Sequence, residues 1–312
     1  YNGAFAIDSD AQLWLDGANV TVNSAAARNS STIIVYGKLK ITGNSTFLSP
    51  GSEGIIIRGA GIYEQSGGTA TAGVLRTSAR DNLGEHRGGV ILTGGTLTIT
   101  GNVKAGQYAA FTLPYPSNIF QMSGNAVLDI KASTSGGDEG SGRSILLSMD
   151  SKNANLTGGT VIVRADSRDA GIVSKVPFYD LQLLGSGGRT IAIRSYNGYD
   201  PGTTDAPMDR VELQSLEVKN DLTIQRIGTG NLTFNANSQD VTVGEDMLIS
   251  ANATYTPGTN TTRFNGCRPQ TYTNNGTANL NNVELVGGST YLTTKTNMNV
   301  TANPTANLTI GE

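Results

Sequence analysis

The residues of this 312-residue chain that could do chemistry are few and scattered. His86, the single histidine, sits in Asn82-Leu83-Gly84-Glu85-His86-Arg87 beside a carboxylate and a guanidinium. A general base needs a nucleophile and an orienting partner converging on it, and one histidine excludes a multi-histidine metal site. His86 therefore reads as a solvated loop residue. Arg164-Ala165-Asp166-Ser167-Arg168-Asp169 mixes charges at the end of an expected strand. Asp150, Asp166 and Asp169 would serve as general acid and base only if stacking brought them together. A charge cluster at a strand end is ordinarily a solvated corner, and no catalytic residue is assigned. Asp8-Ser9-Asp10 and Gly137-Asp138-Glu139-Gly140 offer oxygen ligands suited to a structural calcium ion, the only cofactor suggested. Neither matches the Gly-Gly-x-Gly-x-Asp calcium repeat. Cys267 is the sole cysteine, which excludes an internal disulfide and a cysteine zinc cluster; it reads as a small packed residue.

Binding is better served than catalysis. Tyr108, Tyr115 and Phe120 cluster around Pro114 and Pro116, and Tyr196 and Tyr199 mark a loop over 195–209. Exposed tyrosines stack on sugars or anchor proteins. Tyr108, Tyr115, Tyr196 and Tyr199 are thus the candidate ligand contacts. Asn-x-Ser/Thr triplets, at Asn19, Asn44, Asn155, Asn231 and Asn275 among others, follow from the abundance of these residue types. They read as asparagines bonding one layer of a repeat to the next.

The elements that must position these residues announce themselves by repetition. Leu92-Thr93-Gly94-Gly95-Thr96-Leu97-Thr98-Ile99-Thr100-Gly101 alternates apolar residues with threonines between glycine turns. A period of two places the apolar residues on one strand face and the threonines on the other. The phrase returns as Gln65-Ser66-Gly67-Gly68-Thr69, Met122-Ser123-Gly124-Asn125-Ala126 and Leu156-Thr157-Gly158-Gly159-Thr160, with a looser copy at Ile41-Thr42-Gly43-Asn44-Ser45. The Ser or Thr before the glycine stands at 42, 66, 93, 123 and 157, so the steps are uneven. A fixed strand scaffold with variable corner loops is the expected result. Gly54-Ile55-Ile56-Ile57-Arg58-Gly59 is a continuous apolar run, as in a strand covered on both faces.

The fold class expected is all-β, a right-handed parallel β-helix. Residues 1–177 carry the Ser/Thr-Gly-Gly-Thr rungs and 178–312 continue with a second repeat type. There, Asp180-Leu181-Gln182-Leu183-Leu184-Gly185 is echoed 102 residues later by Asn282-Val283-Glu284-Leu285-Val286-Gly287. A net charge of −3 without Lys/Arg runs argues against nucleic acid. No apolar stretch is long enough for a membrane helix. The chain opens at Tyr1 and stops inside a strand-like phrase, Asn307-Leu308-Thr309-Ile310, with no polar cap at either end. It reads as an internal piece of a longer chain.

Asn231-Leu232-Thr233-Phe234-Asn235-Ala236-Asn237-Ser238-Gln239-Asp240-Val241-Thr242-Val243-Gly244, followed by Tyr255-Thr256-Pro257-Gly258-Thr259-Asn260-Thr261-Thr262-Arg263-Phe264, resembles repeats in giant surface proteins of Bacteroidetes, including the adhesins of gliding bacteria. Phe111-Thr112-Leu113-Pro114 and the glycine rungs share that resemblance, which spans most of the chain. Glu245-Asp246-Met247 and Gly266-Cys267-Arg268-Pro269 depart from it. The resemblance implies a parallel β-helix, type IX export to the outer cell surface, and a role as stalk or adhesive segment. The expectation is a non-enzymatic extracellular segment that supports attachment or gliding motility. Its partners would be a surface polysaccharide or other cell-surface ligand and neighbouring domains of the same chain. The rivals are a carbohydrate-active β-helix, lyase or hydrolase, and a phage tailspike-like receptor-binding fibre.

Overall fold

A computed structural model describes residues 4–22, 32–49, 54–78, 86–100, 109–131, 142–196, 210–286, 292–294 and 308–310. Among these the protein is all-β, with one 3-10 turn at Ser151–Asn153 and no α-helix. The strands form long parallel sheets of eleven, fifteen and five strands. No helix among the described residues is long and apolar enough to cross a membrane.

The chain visits these sheets in rotation. Ile55–Arg58 lies in the eleven-stranded sheet, Ile62–Ala72 in the fifteen-stranded sheet, and Leu75–Ser78 is back in the first, paired with Ile55–Arg58. Each return lands one strand further along. Such pairing sets equivalent residues of successive passes side by side. One inward column of the fifteen-stranded sheet runs Val20, Phe47, Ala70, Leu97, Leu128, Val161, Leu181, Leu222, Met247 and Tyr272. From Phe47 onward every member is buried, and all belong to or pack against one apolar cluster that reaches from Ile7 to Val283. Burial of that column is the main stabilising force, because each apolar side chain withdrawn from water contributes about 1.5–3 kcal/mol.

The recurring glycines bend the strand. Ile62–Ala72 and Gly89–Ile99 each run straight through a Gly-Gly pair, with a register shift there. Gly95 has a φ of 75°, and a Cβ on it would press against the carbonyl oxygens of Gly67 and Gly68 in the pass before. Only glycine accepts both the left-handed backbone and the close approach. The bend leaves carbonyls facing the interior, and buried Gln65 answers them. Its Nε2 donates to the carbonyls of Gly67 and Thr96, each at 3.1 Å, while its Oε1 accepts from the Tyr63 hydroxyl at 2.7 Å.

The change of phrase after 177 has a structural counterpart. Phe178 bridges to Val218, and from there the third sheet grows through Leu216–Val218, Val241–Val243, Thr261–Phe264, Asn282–Leu285 and Leu308–Ile310. Between Leu216 and Ala278 each pass visits all three sheets, and Leu222, Met247 and Tyr272 are 25 residues apart. Asp180 stands in register with Thr160, the threonine that ends the last Gly-Gly phrase. Asp180, Asp221 and Asp246 then carry the corner: each carboxylate accepts the backbone N–H of its counterpart one pass on, at 3.2, 3.0 and 2.7 Å, ending at Thr271.

The echo of 180–185 at 282–287 does not mark equivalent positions. Asp180–Gly185 belongs to the fifteen-stranded sheet and Asn282–Leu285 to the five-stranded one. A period of two encodes which face is inward, not which sheet the strand joins. The 54–59 reading holds: Ile55–Arg58 is buried at all four positions.

Candidate functional site

The outward face of the first described pass carries an exposed aromatic ring beside a cluster of ion-paired side chains. In Gln12–Asp16, Leu13 and Leu15 align with inward Leu39 and Ile41, so Gln12, Trp14 and Asp16 point out. The next strand, Lys38–Thr42, presents Lys38, Lys40 and Thr42, and Ile62–Ala72 presents Ile62 and Glu64. Trp14, the only tryptophan, is 56 % exposed. Its indole Nε1 donates to Thr42 Oγ1 at 2.8 Å, and that hydroxyl donates to Asp16 Oδ1 at 2.9 Å. The Lys40 ammonium lies 5.2 Å from the ring centroid, within cation–π range. Glu64 receives both lysines, Lys38 at 2.9 Å and Lys40 at 3.3 Å. The Lys38 hydrogen bond, ahead of the smaller effect of Lys40, holds the Glu64 carboxyl below its ordinary range despite partial burial.

Beside this face opens a groove of about 630 Å³, lined by Asp10, Gln12, Tyr36, Lys38, Arg58 and Ile62 among others. Arg58 is buried; its guanidinium donates to the Tyr36 hydroxyl at 3.1 Å and lies 6.0 Å from the Tyr36 ring centroid. The groove and the Trp14 face share Gln12 and Lys38, and a two-residue step along the strand is about 7 Å.

The residues singled out from sequence are distributed differently. Tyr115 and Tyr196 are 6 % and 1 % exposed, so neither ring is open to a ligand. Both belong to a second apolar cluster with Ala109, Leu146, Val173 and Val211. Leu146 and Val173 lie on the outer face of the eleven-stranded sheet, and the tyrosines cover them; the rings close a face instead of offering one. Tyr196 and Val211 exchange two 2.7 Å backbone hydrogen bonds, an antiparallel bridge, and residues 197–209 between them lie outside the described residues. Tyr108 and Tyr199 lie outside the described residues. Phe120 is core, 5.5 Å from Phe111 between ring centroids.

His86 stacks on Tyr115 at 4.5 Å, and its carbonyl accepts from Ser117 Oγ and Asn118 Nδ2. The 164–169 cluster does not converge. Arg164 pairs with Asp129 at 2.6 Å, Asp169 accepts the Thr190 N–H at 2.9 Å, Asp166 is exposed, and Asp150 faces Lys152 at 3.5 Å. Asp8 and Asp10 are exposed, and Asp8 Oδ1 accepts the Ser9 N–H. The 137–140 segment lies outside the described residues, among which no group of three or more metal-ligating side chains occurs. Cys267 corrects the expectation of a packed residue: it is exposed together with Arg268 and Pro269, and the close contact belongs to buried Gly266, against the Gly244 carbonyl.

Fold and site together define an all-β protein of stacked parallel sheets that carries an outward aromatic and ion-pair patch at one end. Comparison with family models, curated proteins and solved structures finds no match to the chain.

Proposed function

We propose that the three sheets close into a right-handed parallel β-helix and that the chain is a non-enzymatic segment of a large bacterial surface adhesin or filament-like stalk. The observation that carries this reading is the unbroken inward column from Val20 to Tyr272, ten residues on ten parallel strands. Backbone hydrogen bonds between passes lie along the stacking direction, so a load applied along it is shared by every strand of a layer. Corners and outer faces then vary without disturbing the core, which suits a scaffold that holds binding surfaces away from a cell.

The resemblance to Bacteroidetes gliding adhesins supplies the setting: export by the type IX route, the outer cell surface, and a role in attachment or gliding. A surface polysaccharide or similar ligand and neighbouring segments of the same chain are the partners that follow. Scattered acids, each paired with a neighbour or exposed at the surface, are what a scaffold has. Antibodies against the purified segment test this directly on intact producing cells. Surface labelling, together with reduced attachment after in-frame deletion of the segment, is the expected result. Labelling only after cell lysis would overturn it.

A further inference from the structure

We propose that the outward face around Trp14, with the adjoining groove, is a binding site for a neutral pyranose polymer. The inference rests on the adhesive reading above and names the ligand class and the residues.

Trp14 is exposed for a different reason from Phe5, which is 48 % exposed. Phe5 aligns with buried Ile33, and through it with Ile55 and Leu75, so it occupies a core position of the first pass. Trp14 aligns with Lys40 and Glu64, an outward column. Stacking another pass onto Gln12–Asp16 would leave its direction unchanged. A large apolar ring facing water forgoes its burial free energy, so its use must lie in what it meets there.

The ring is also held in place. Thr42 fixes the indole N–H, Asp16 fixes Thr42, and Lys40 rests over the ring. An aromatic already immobilised loses less side-chain entropy on binding. A rigid indole offers a flat surface to the C–H face of a pyranose, while a fringe of carboxylate, ammonium, hydroxyl and amide groups can meet its hydroxyls. Gln12, Asp16, Lys38, Lys40, Thr42 and Glu64 supply that fringe. The groove gives a polymer a path beyond the platform, and its 630 Å³ is of the size that holds small ligands.

Charge selects within the sugars. Lys38 and Lys40 both close on Glu64, Asp16 accepts the Thr42 hydroxyl, and the groove sets Asp10 and Arg58 in one lining. Positive and negative groups alternate over the patch, leaving no strong field of one sign to favour a polyuronate. A neutral polymer is the better fit.

Because Trp14 is the single tryptophan, its fluorescence reports on this site alone. The test titrates the whole chain with dextran, a soluble β-glucan and polygalacturonate, following Trp14 emission and mobility in affinity gels. One neutral glucan should give a saturable emission change that survives 0.5 M salt. Trp14→Ala should weaken its gel retardation at least ten-fold with an unchanged circular dichroism spectrum, and Trp14→Tyr should restore part of it. Equal retardation of wild type and Trp14→Ala, or binding of polygalacturonate alone with loss in salt, would overturn the proposal. So would an unchanged emission with all three polymers. Beads carrying each protein separate the two readings on the producing cells' natural surfaces. Equal attachment of wild type and Trp14→Ala leaves the adhesive reading standing and removes this site, whereas no attachment by wild type removes both.

Discussion

Buried polar side chains do specific work at the corners of this protein. Gln65 ties the Tyr63 hydroxyl to the carbonyls at the Gly67–Gly68 bend, and Gln270 plays the same part near Gly266. There its Oε1 accepts the Gly266 N–H at 3.0 Å, and its Nε2 donates to the carbonyls of Val243 and Glu245 at 3.1 and 2.6 Å. Replacing Gln65 by Leu keeps the bulk but strands a phenol and two carbonyls without partners. Chemical denaturation should show Gln65→Leu destabilised by about 1–3 kcal/mol. An unchanged midpoint would mean that water takes over these bonds. Burial also pushes the Tyr255 phenol up to about 12, a ring that stacks on Phe234 at 5.5 Å and accepts from Asn260. These polar residues were not legible beforehand. Gln65 in Tyr63-Glu64-Gln65-Ser66 looks like any surface glutamine, and only the register shows that it aligns with inward Ile41 and Leu92. Trp14 escaped for the mirror-image reason. Between Leu13 and Leu15 it looks like part of an apolar run, yet the alternation turns it outward.

Strand faces and corners were the most readable level, because a period of two is written directly in the residues. The apolar run at 54–59, the threonine faces and the glycine bends all follow from it. What a strand cannot state is its sheet, hence the mismatch between 180–185 and 282–285. Nor can it state what covers its outer face, hence the buried Tyr115 and Tyr196. Two carboxylates, one at a corner and one on a strand face, make opposite predictions with pH. In the aspartate ladder, Asp221 has its carboxyl raised, chiefly by burial and further by the charges of Asp180 and Asp246, against the lowering effect of the Asp246 N–H. A raised folded value means that its stabilising contribution is complete below the unfolded value near 3.8 and is lost as pH rises through the folded one. Asp221→Asn should therefore melt slightly higher than wild type at pH 7, by less than about 1 kcal/mol, the scale of solvent-screened charges. The difference should shrink towards pH 4. Glu64 runs the other way. Its carboxyl is lowered, chiefly by Lys38, so its contribution is present above the unfolded value near 4.5 and is lost as pH falls through the folded one. Glu64→Gln should melt lower than wild type at pH 7, again by less than about 1 kcal/mol, and the two should converge in acid. Thermal melts of the three proteins from pH 3 to 7 check both signs.

At the scale of the molecule, successive passes stack in register. An outward column of the fifteen-stranded sheet runs Thr21, Leu48, Thr71, Thr98, Asp129, Ile162, Gln182, Thr223, Leu248 and Thr273, parallel to the inward one. Neighbouring strands lie about 4.8 Å apart, so distances along this column grow in equal steps whatever the number of residues between them. Uneven loop lengths made that constancy invisible in the sequence spacing, where the same step costs 20 residues between Val161 and Leu181 and 41 between Leu181 and Leu222. The most direct test is pulsed electron–electron resonance on spin labels at Thr21 and Thr273, and at Thr98 and Thr273, with exposed Cys267 changed to serine. Nine steps predict about 43 Å for the first pair and six steps about 29 Å for the second. Equal separations for the two pairs, or a Thr21–Thr273 separation far from about 43 Å, would contradict in-register stacking and the scaffold function proposed from it.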